Sequence, residues 1–213
     1  MPECQACSGR GWLVEPGDGA GIARRCPCAA GRPLRDRLAQ AGVWERYLHC
    51  TRETWRGRWP AARLAPFGTA LHLCTIFGPV GAGKTHLATA ILGEWLAGGR
   101  RGLWREFSST LEAIKLTLAT GGAESLTDAL KLPYHLLVLD DLLAERGTDW
   151  TQSLLSHVLR YRHGRNLPTV LTANVPDLTE LDKLEPRLSS RCGEGIVIGL
   201  SGPDRRTAER PDA

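Results

Sequence analysis

Gly78-Pro79-Val80-Gly81-Ala82-Gly83-Lys84-Thr85 fits G-x-x-x-x-G-K-[ST], and its surroundings decide how the rest of the chain is read. Before it stands the apolar run Leu71–Phe77, of strand length. After it, His86–Ala97 sets Leu87, Ile91 and Trp95 four residues apart, as one face of a helix that stops at Gly98-Gly99. A strand turning through glycines into a helix can cradle phosphate. The glycines let backbone N–H groups point inward, and the helix N-terminus adds a favourable dipole. Here Lys84, expected on a surface loop, is suited to the β- and γ-phosphates of ATP, and the Thr85 hydroxyl to Mg²⁺. A chance glycine-rich turn is the competing reading, and the flanking strand and helix speak against it.

Such a loop needs an acidic site on a neighbouring strand. Leu136-Leu137-Val138-Leu139-Asp140-Asp141 offers four apolar residues and then two carboxylates at the carboxyl end, where ligands gather in open α/β sheets. Asp140 is the expected Mg²⁺ partner, through water or Thr85, and Asp141 the group that polarises an attacking water. The plainer alternative is two aspartates that end a strand. Working outward, His135–Asp140 joins Gly102–Phe107, Thr169–Ala173 and Gly195–Leu200 as further strand-length runs. Between them Ser109–Leu118 repeats Leu111, Ile114 and Leu118, and Trp150–His163 carries Leu154, Leu155, Val158, Leu159 and Arg162 at helical spacing. The alternation predicts an α/β P-loop NTPase fold, a parallel five-stranded sheet with helices on both faces. No internal repeat or low-complexity tract interrupts it.

The chain's 213 residues allow one full α/β domain with a small appendage. Its 42% apolar and 23% charged residues are ordinary for a globular protein. No apolar run approaches the roughly 20 residues that span a bilayer, and Met1-Pro2-Glu3-Cys4 does not open like a secretory signal. No membrane association and a cytoplasmic location are therefore expected. Charge is unevenly placed: residues 1–69 hold eleven Arg against six acids, and residues 70–213 sixteen bases against seventeen acids. A basic leading segment fits a nucleic-acid or acidic partner, and a solvated basic face explains it nearly as well.

Four of the seven cysteines fall within the first 28 residues. Cys4-x-x-Cys7 and Cys26-x-Cys28 form two tight pairs in a Gly-rich segment with little core of its own, which points to a structural Zn²⁺ with four sulfur ligands. A redox dithiol and unligated thiols are the alternatives. Four thiolates and one Zn²⁺ together contribute −2, so the leading segment is less basic than its arginines suggest, and protein docking competes with DNA binding. Cys50, Cys74 and Cys192 stand alone and read as packing residues. The expected organisation is a zinc module over 1–32, a lead-in over 33–69 with a short helix at Leu34–Ala41, an ATPase core over 70–206 and a flexible tail over 207–213.

With these motifs in place, the chain resembles the DnaC/DnaI/IstB group of AAA+ proteins, which load replicative helicases or assist transposases. Ala41-Gly42-Val43-Trp44-Glu45-Arg46-Tyr47 resembles that group's segment before the core. Leu167-Pro168-Thr169-Val170-Leu171-Thr172-Ala173-Asn174 resembles its fourth strand, ending in the sensor Asn174. Leu184-Glu185-Pro186-Arg187-Leu188-Ser189-Ser190-Arg191 resembles the R-L-x-S-R box, and Gly202-Pro203-Asp204-Arg205-Arg206 the closing G-x-D-x-R. The resemblance implies that Asn174 orients water or the γ-phosphate, that Arg191 (with Arg187 as the alternative) acts on a neighbouring subunit's ATP, and that Arg205 contacts nucleotide. It implies a helicase-loader-like ATPase in DNA replication, with a replicative helicase, single-stranded DNA and self-association through the ATP site as partners. A transposition helper and a nucleotide-dependent adaptor with negligible turnover are the other readings. Two departures stand out. Asp141 replaces the Glu common among AAA+ proteins, which fits slow hydrolysis, and the thirteen residues after the last expected strand are too few for a full helical lid.

Overall fold

The computed structural model describes residues 4–7, 12–15, 22–26, 32–119, 130–132, 135–142, 149–183, 187–202 and 204. Near the N-terminus, β1 (Trp12–Glu15) pairs antiparallel with β2 (Ile22–Arg25). Five further strands follow: β3 (Leu73–Phe77), β4 (Arg101–Glu106), β5 (His135–Leu142), β6 (Thr169–Ala173) and β7 (Ile196–Gly199). They form one parallel sheet in the order β4-β5-β6-β3-β7. The expected five-stranded sheet is thus present among the described residues. Most strand limits shift by one or two residues from expectation, and two of the shifts have a clear cause or consequence. Phe107 opens a helix, because the Glu106 side chain accepts from the backbone N–H of Ser108 (3.1 Å) and Ser109 (2.7 Å) and so caps a first turn there. β5 runs on through both aspartates to Leu142.

The described helices are α1 (Leu34–Gln40), the four-residue α2 (Ala61–Leu64), α3 (Lys84–Ala97), α4 (Phe107–Ala119), α5 (Asp149–Gly164) and α6 (Leu188–Gly193). They cover both sheet faces. On one, α3 packs with Ile76, Trp104, Leu136, Val138, Val170 and Ile198. On the other, α4, α5 and α6 enclose Leu137, Leu139, Leu142 and Leu171 with Leu111, Ile114, Leu155, Val158 and Leu188. The sequence pattern gave α3 a single apolar face, yet from Leu87 to Leu96 every residue except Glu94 is buried. The cause is a third layer: Leu38, Val43, Leu48 and Phe67, from the expected lead-in, join the same core over the helix's outer side. This segment also closes the sheet edges. Trp104 N–H donates to the Ala41 carbonyl at 2.8 Å beside β4, and Arg63 Nη1 to the Val197 carbonyl at 3.2 Å on β7.

Arg162 sits on the apolar face of α5, as its spacing indicated, and is 1% exposed. Its guanidinium donates to the carbonyls of Leu130 (2.9 Å), His135 (2.7 Å) and Pro168 (2.8 Å), and through Nε to Thr169 Oγ1 (2.9 Å). Burial pushes its pKa down to about 10. No helix among the described residues is long and apolar enough to cross a membrane.

Candidate functional site

Residues 78–83 leave the carboxyl end of β3 and enter α3, as the motif requires. Gly78 and Gly81 hold φ of 142° and 76°, and a Cβ at either would strike the segment after β7: the Leu200 carbonyl at Gly78, the Asp204 carboxylate at Gly81. Leu200 N–H donates to the Phe77 carbonyl at 2.8 Å, so this segment is laid directly on the loop. Arg205 lies outside the described residues. Pro79 and Val80 are exposed at the loop's tip, while Ala82 is buried.

Lys84 departs from the surface position expected of it. It is 7% exposed, and its Nζ donates to the carbonyls of Gly78 (2.9 Å) and Pro79 (2.6 Å), so the charge is held inside the loop by backbone dipoles. Next to it, Thr85 Oγ1 donates to Asp140 Oδ2 at 3.0 Å. Asp140 was expected on a strand next to β3, but β6 lies between β5 and β3. That placement gives β6 access to both sides. Thr172 Oγ1 donates to Asp140 Oδ1 at 2.6 Å and accepts from Asp141 N–H at 2.9 Å, and Asn174 Nδ2 donates to Asp141 Oδ1 at 2.6 Å.

Asp140 is 3% exposed, and burial pushes its pKa up to about 6. Hydrogen bonds from Thr172 and Thr85 oppose the rise, and the nearby carboxylates of Asp141 and Glu106 add to it. A hydroxyl and a carboxylate oxygen 3.0 Å apart at the helix N-terminus are hard oxygen donors of the kind Mg²⁺ takes.

These residues line a cleft of about 700 Å³ whose other wall comes from the leading segment: Trp44, Arg46, Tyr47, His49, Cys50, Glu53, Thr54, Trp55 and Arg56. His86, in the first turn of α3, pins that wall. Its Nε2 lies 3.2 Å from the Thr51 carbonyl and 3.2 Å from Thr54 Oγ1, and its ring meets Trp55 edge-on at 5.4 Å. Sequence reading missed the wall, although a cluster of Trp, Tyr and Arg before a phosphate loop is a usable signal. Cys50 faces this cleft as well as packing, and burial raises its thiol to about 11, which keeps it neutral. Cys74 and Cys192 are fully buried packing residues.

Arg191 is placed elsewhere. It is half-buried beside Leu71, His72 and Leu73 in a cavity of about 180 Å³ at the amino end of β3. The phosphate loop leaves that strand's other end, roughly 17 Å away for five residues at strand rise. Arg187 is exposed, with φ of 70°, at the start of α6. In the N-terminal segment, the sulfurs of Cys4, Cys7 and Cys26 all lie within 4.8 Å of one another. Cys4 Sγ and Cys26 Sγ are 3.8 Å apart, too far for a disulfide and about the edge length of a tetrahedron with 2.3 Å Zn–S bonds. Cys28 lies outside the described residues.

A Gly-rich Lys-Thr loop between strand and helix, with acids on β5 and an Asn just after the intervening β6, gives the chain a P-loop fold of the AAA+ type. Comparison places it beside replication proteins. The chromosomal replication initiator protein DnaA of Clavibacter sepedonicus is 28% identical over 134 residues, 62% of this chain and 28% of that protein. The structure of AMPPCP-bound DnaA from Aquifex aeolicus is 26% identical with a TM-score of 0.58, covering 66% of this chain and 43% of that one. The DnaC helicase loader has the same fold, with a TM-score of 0.62 at 22% identity over 74% of this chain and 100% of that one. The chain thus spans under a third of the curated relative's length. No family model matches it.

Proposed function

We propose that this protein binds ATP with Mg²⁺ in the cleft between residues 44–56 and the phosphate loop, hydrolyses it slowly, and acts in DNA replication as a helicase-loader-like factor. One observation carries the nucleotide reading: the unbroken path from Thr85 through Asp140 and Thr172 to Asp141 and Asn174, beside the Lys84 loop. In this reading the backbone N–H groups of residues 78–85 hold the phosphates. Lys84 exchanges its two loop carbonyls for phosphate oxygens, and Thr85 and Asp140 hold Mg²⁺. Held by these two residues, Mg²⁺ would supply positive charge to offset that developing on the β- and γ-phosphates. Asp141 orients and polarises the attacking water, and Asn174 fixes the Asp141 carboxylate. Arg205 is assigned to nucleotide contact by the closing motif alone.

Arg191 belongs to a different encounter. One strand length from its own phosphate loop, it is suited to another copy's γ-phosphate, so we assign turnover to an assembly in which subunits share sites. The cysteine cluster supports one structural Zn²⁺ on Cys4, Cys7, Cys26 and Cys28. The replication reading rests on the likeness to DnaA and on the loader fold, with a replicative helicase and single-stranded DNA as partners. A pull-down of the cognate replicative helicase, with the full chain and with residues 1–50 removed, tests it. Retention by the full chain alone supports a loader whose leading segment grips the helicase, and no retention by either contradicts it. A nucleotide-dependent adaptor remains the second reading, favoured by Asp141, whose short carboxylate is already engaged by Asn174.

A further inference from the structure

Two consecutive residues of a regular strand point to opposite faces of the sheet. Asp140 and Asp141 nevertheless line the same cleft. The pairing of β5 with β6 accounts for this. Leu139 faces Leu171, but the next matched pair is Leu142 with Ala173, so three steps on β5 oppose two on β6. The alternation records the same slip: Leu137, Leu139 and then Leu142 enter the second core, not residue 141. A β-bulge therefore sits at the two acids, and Asp141 takes a left-handed backbone, φ 60°, to complete it.

A bulge leaves ladder groups without their usual partners, and here Thr172 takes one of them. Its hydroxyl accepts from Asp141 N–H at 2.9 Å and donates to Asp140 Oδ1 at 2.6 Å, so one buried oxygen spans both members of the bulge. Thr172 is 1% exposed between Leu171 and Ala173, and its hydroxyl makes only these two bonds among those described. Two residues on, and so on the same face, Asn174 holds the Asp141 carboxylate. The strand grips Asp141 twice, by backbone at Thr172 and by side chain at Asn174.

We infer that Thr172 is a positioning residue for ATP hydrolysis: it holds Asp141 in the left-handed bulge from which its carboxylate faces the γ-phosphate side of the cleft. This rests on the ATPase reading above. Without the Thr172 oxygen, Asp141 N–H loses its acceptor and the bulge can slip back toward regular pairing, which turns the carboxylate away. The phosphate loop makes no bond to Thr172 in the relay just described. Asp140, although it loses the Thr172 donor, keeps its bond from Thr85 and its place beside the loop, so the grip on nucleotide is kept. Turnover and affinity therefore separate at this residue.

Thr172→Val removes the hydroxyl at nearly constant volume, and Thr172→Ser keeps it. ATP hydrolysis under Mg²⁺ and equilibrium binding of a fluorescent ATP analogue are measured for the wild-type protein and both variants. Thr172→Val is expected to lower kcat by roughly 10- to 100-fold while analogue affinity stays within about threefold, and Thr172→Ser to recover most of the rate. A Thr172→Val protein as fast as wild type overturns the inference, as does a parallel loss of rate and affinity or a failure of Ser to rescue. Absence of Mg²⁺-dependent turnover in the wild-type protein would instead remove the ATPase reading and the inference with it.

Discussion

Thr85 Oγ1 donates to Asp140 Oδ2 at 3.0 Å, a bond that ties the first turn of α3 to a carboxylate buried two strands away. Burial makes that carboxylate costly to ionise, and its pKa rises from the ordinary 3.8 to about 6. The folded state therefore binds the Asp140 proton more tightly than the unfolded chain does. Stability of the nucleotide-free protein falls as pH rises through the interval from about 4 to 6, by roughly 3 kcal/mol at most. Asp140→Asn keeps the polar contacts without the charge. It is expected to raise the melting temperature at pH 7.5 by several degrees, with little difference at pH 4, and to abolish Mg²⁺-dependent nucleotide binding. Thermal melts of both proteins across that pH range check the sign.

Arg162 satisfies its donors with backbone carbonyls and one hydroxyl, joining Leu130 and His135 to α5 and the start of β6. A lysine retains the charge but offers one nitrogen where several acceptors converge. Arg162→Lys should lower stability to urea by roughly 3 kcal/mol. A loss of only a few tenths would mean the carbonyls find other donors.

If the N-terminal cysteines hold Zn²⁺, purified protein contains close to one zinc per chain, and Cys4→Ser or Cys26→Ser releases it while the five-stranded domain still melts cooperatively. Metal analysis of the three proteins decides. Wild-type protein without zinc contradicts the assignment.

How much of this was legible beforehand varies with the physics. The limits of β6 at Thr169–Ala173 follow from its own residues, because a strand buried on both faces is a short β-branched and apolar run between a proline and a polar stop. The phosphate loop was equally plain. The bulge at Asp140-Asp141 was not, since a run of leucines followed by two acids looks the same whether the ladder is regular or slipped. Only the partner strand, through Thr172, reveals it. Likewise α3 gave a one-sided pattern because its outer face is covered by residues distant in sequence, and Lys84 is buried because the loop folds around it. Arg191 was singled out by resemblance, and its distance from its own phosphate loop needed the sheet.

A finger that serves a neighbour leaves a kinetic signature. Arg191→Ala should bind ATP as wild type does and lose at least tenfold in turnover, and the more-than-linear rise of wild-type activity with protein concentration should disappear. Mixing Arg191→Ala with Lys84→Ala should restore part of the rate, since one supplies an intact pocket and the other an intact arginine. Strict proportionality in the wild type, together with an inactive mixture, would reduce Arg191 to a surface residue.

The central claim is that the cleft around Lys84 takes Mg²⁺ and ATP. Its most direct test is calorimetric titration of ATP into the wild-type and Lys84→Ala proteins, with Mg²⁺ present, after melts have established that the variant is folded, because Lys84 is buried. The account predicts saturable binding at one site per chain for the wild type and none for Lys84→Ala at the same concentrations. Equal binding by a folded Lys84→Ala protein, or none by the wild type, would contradict it.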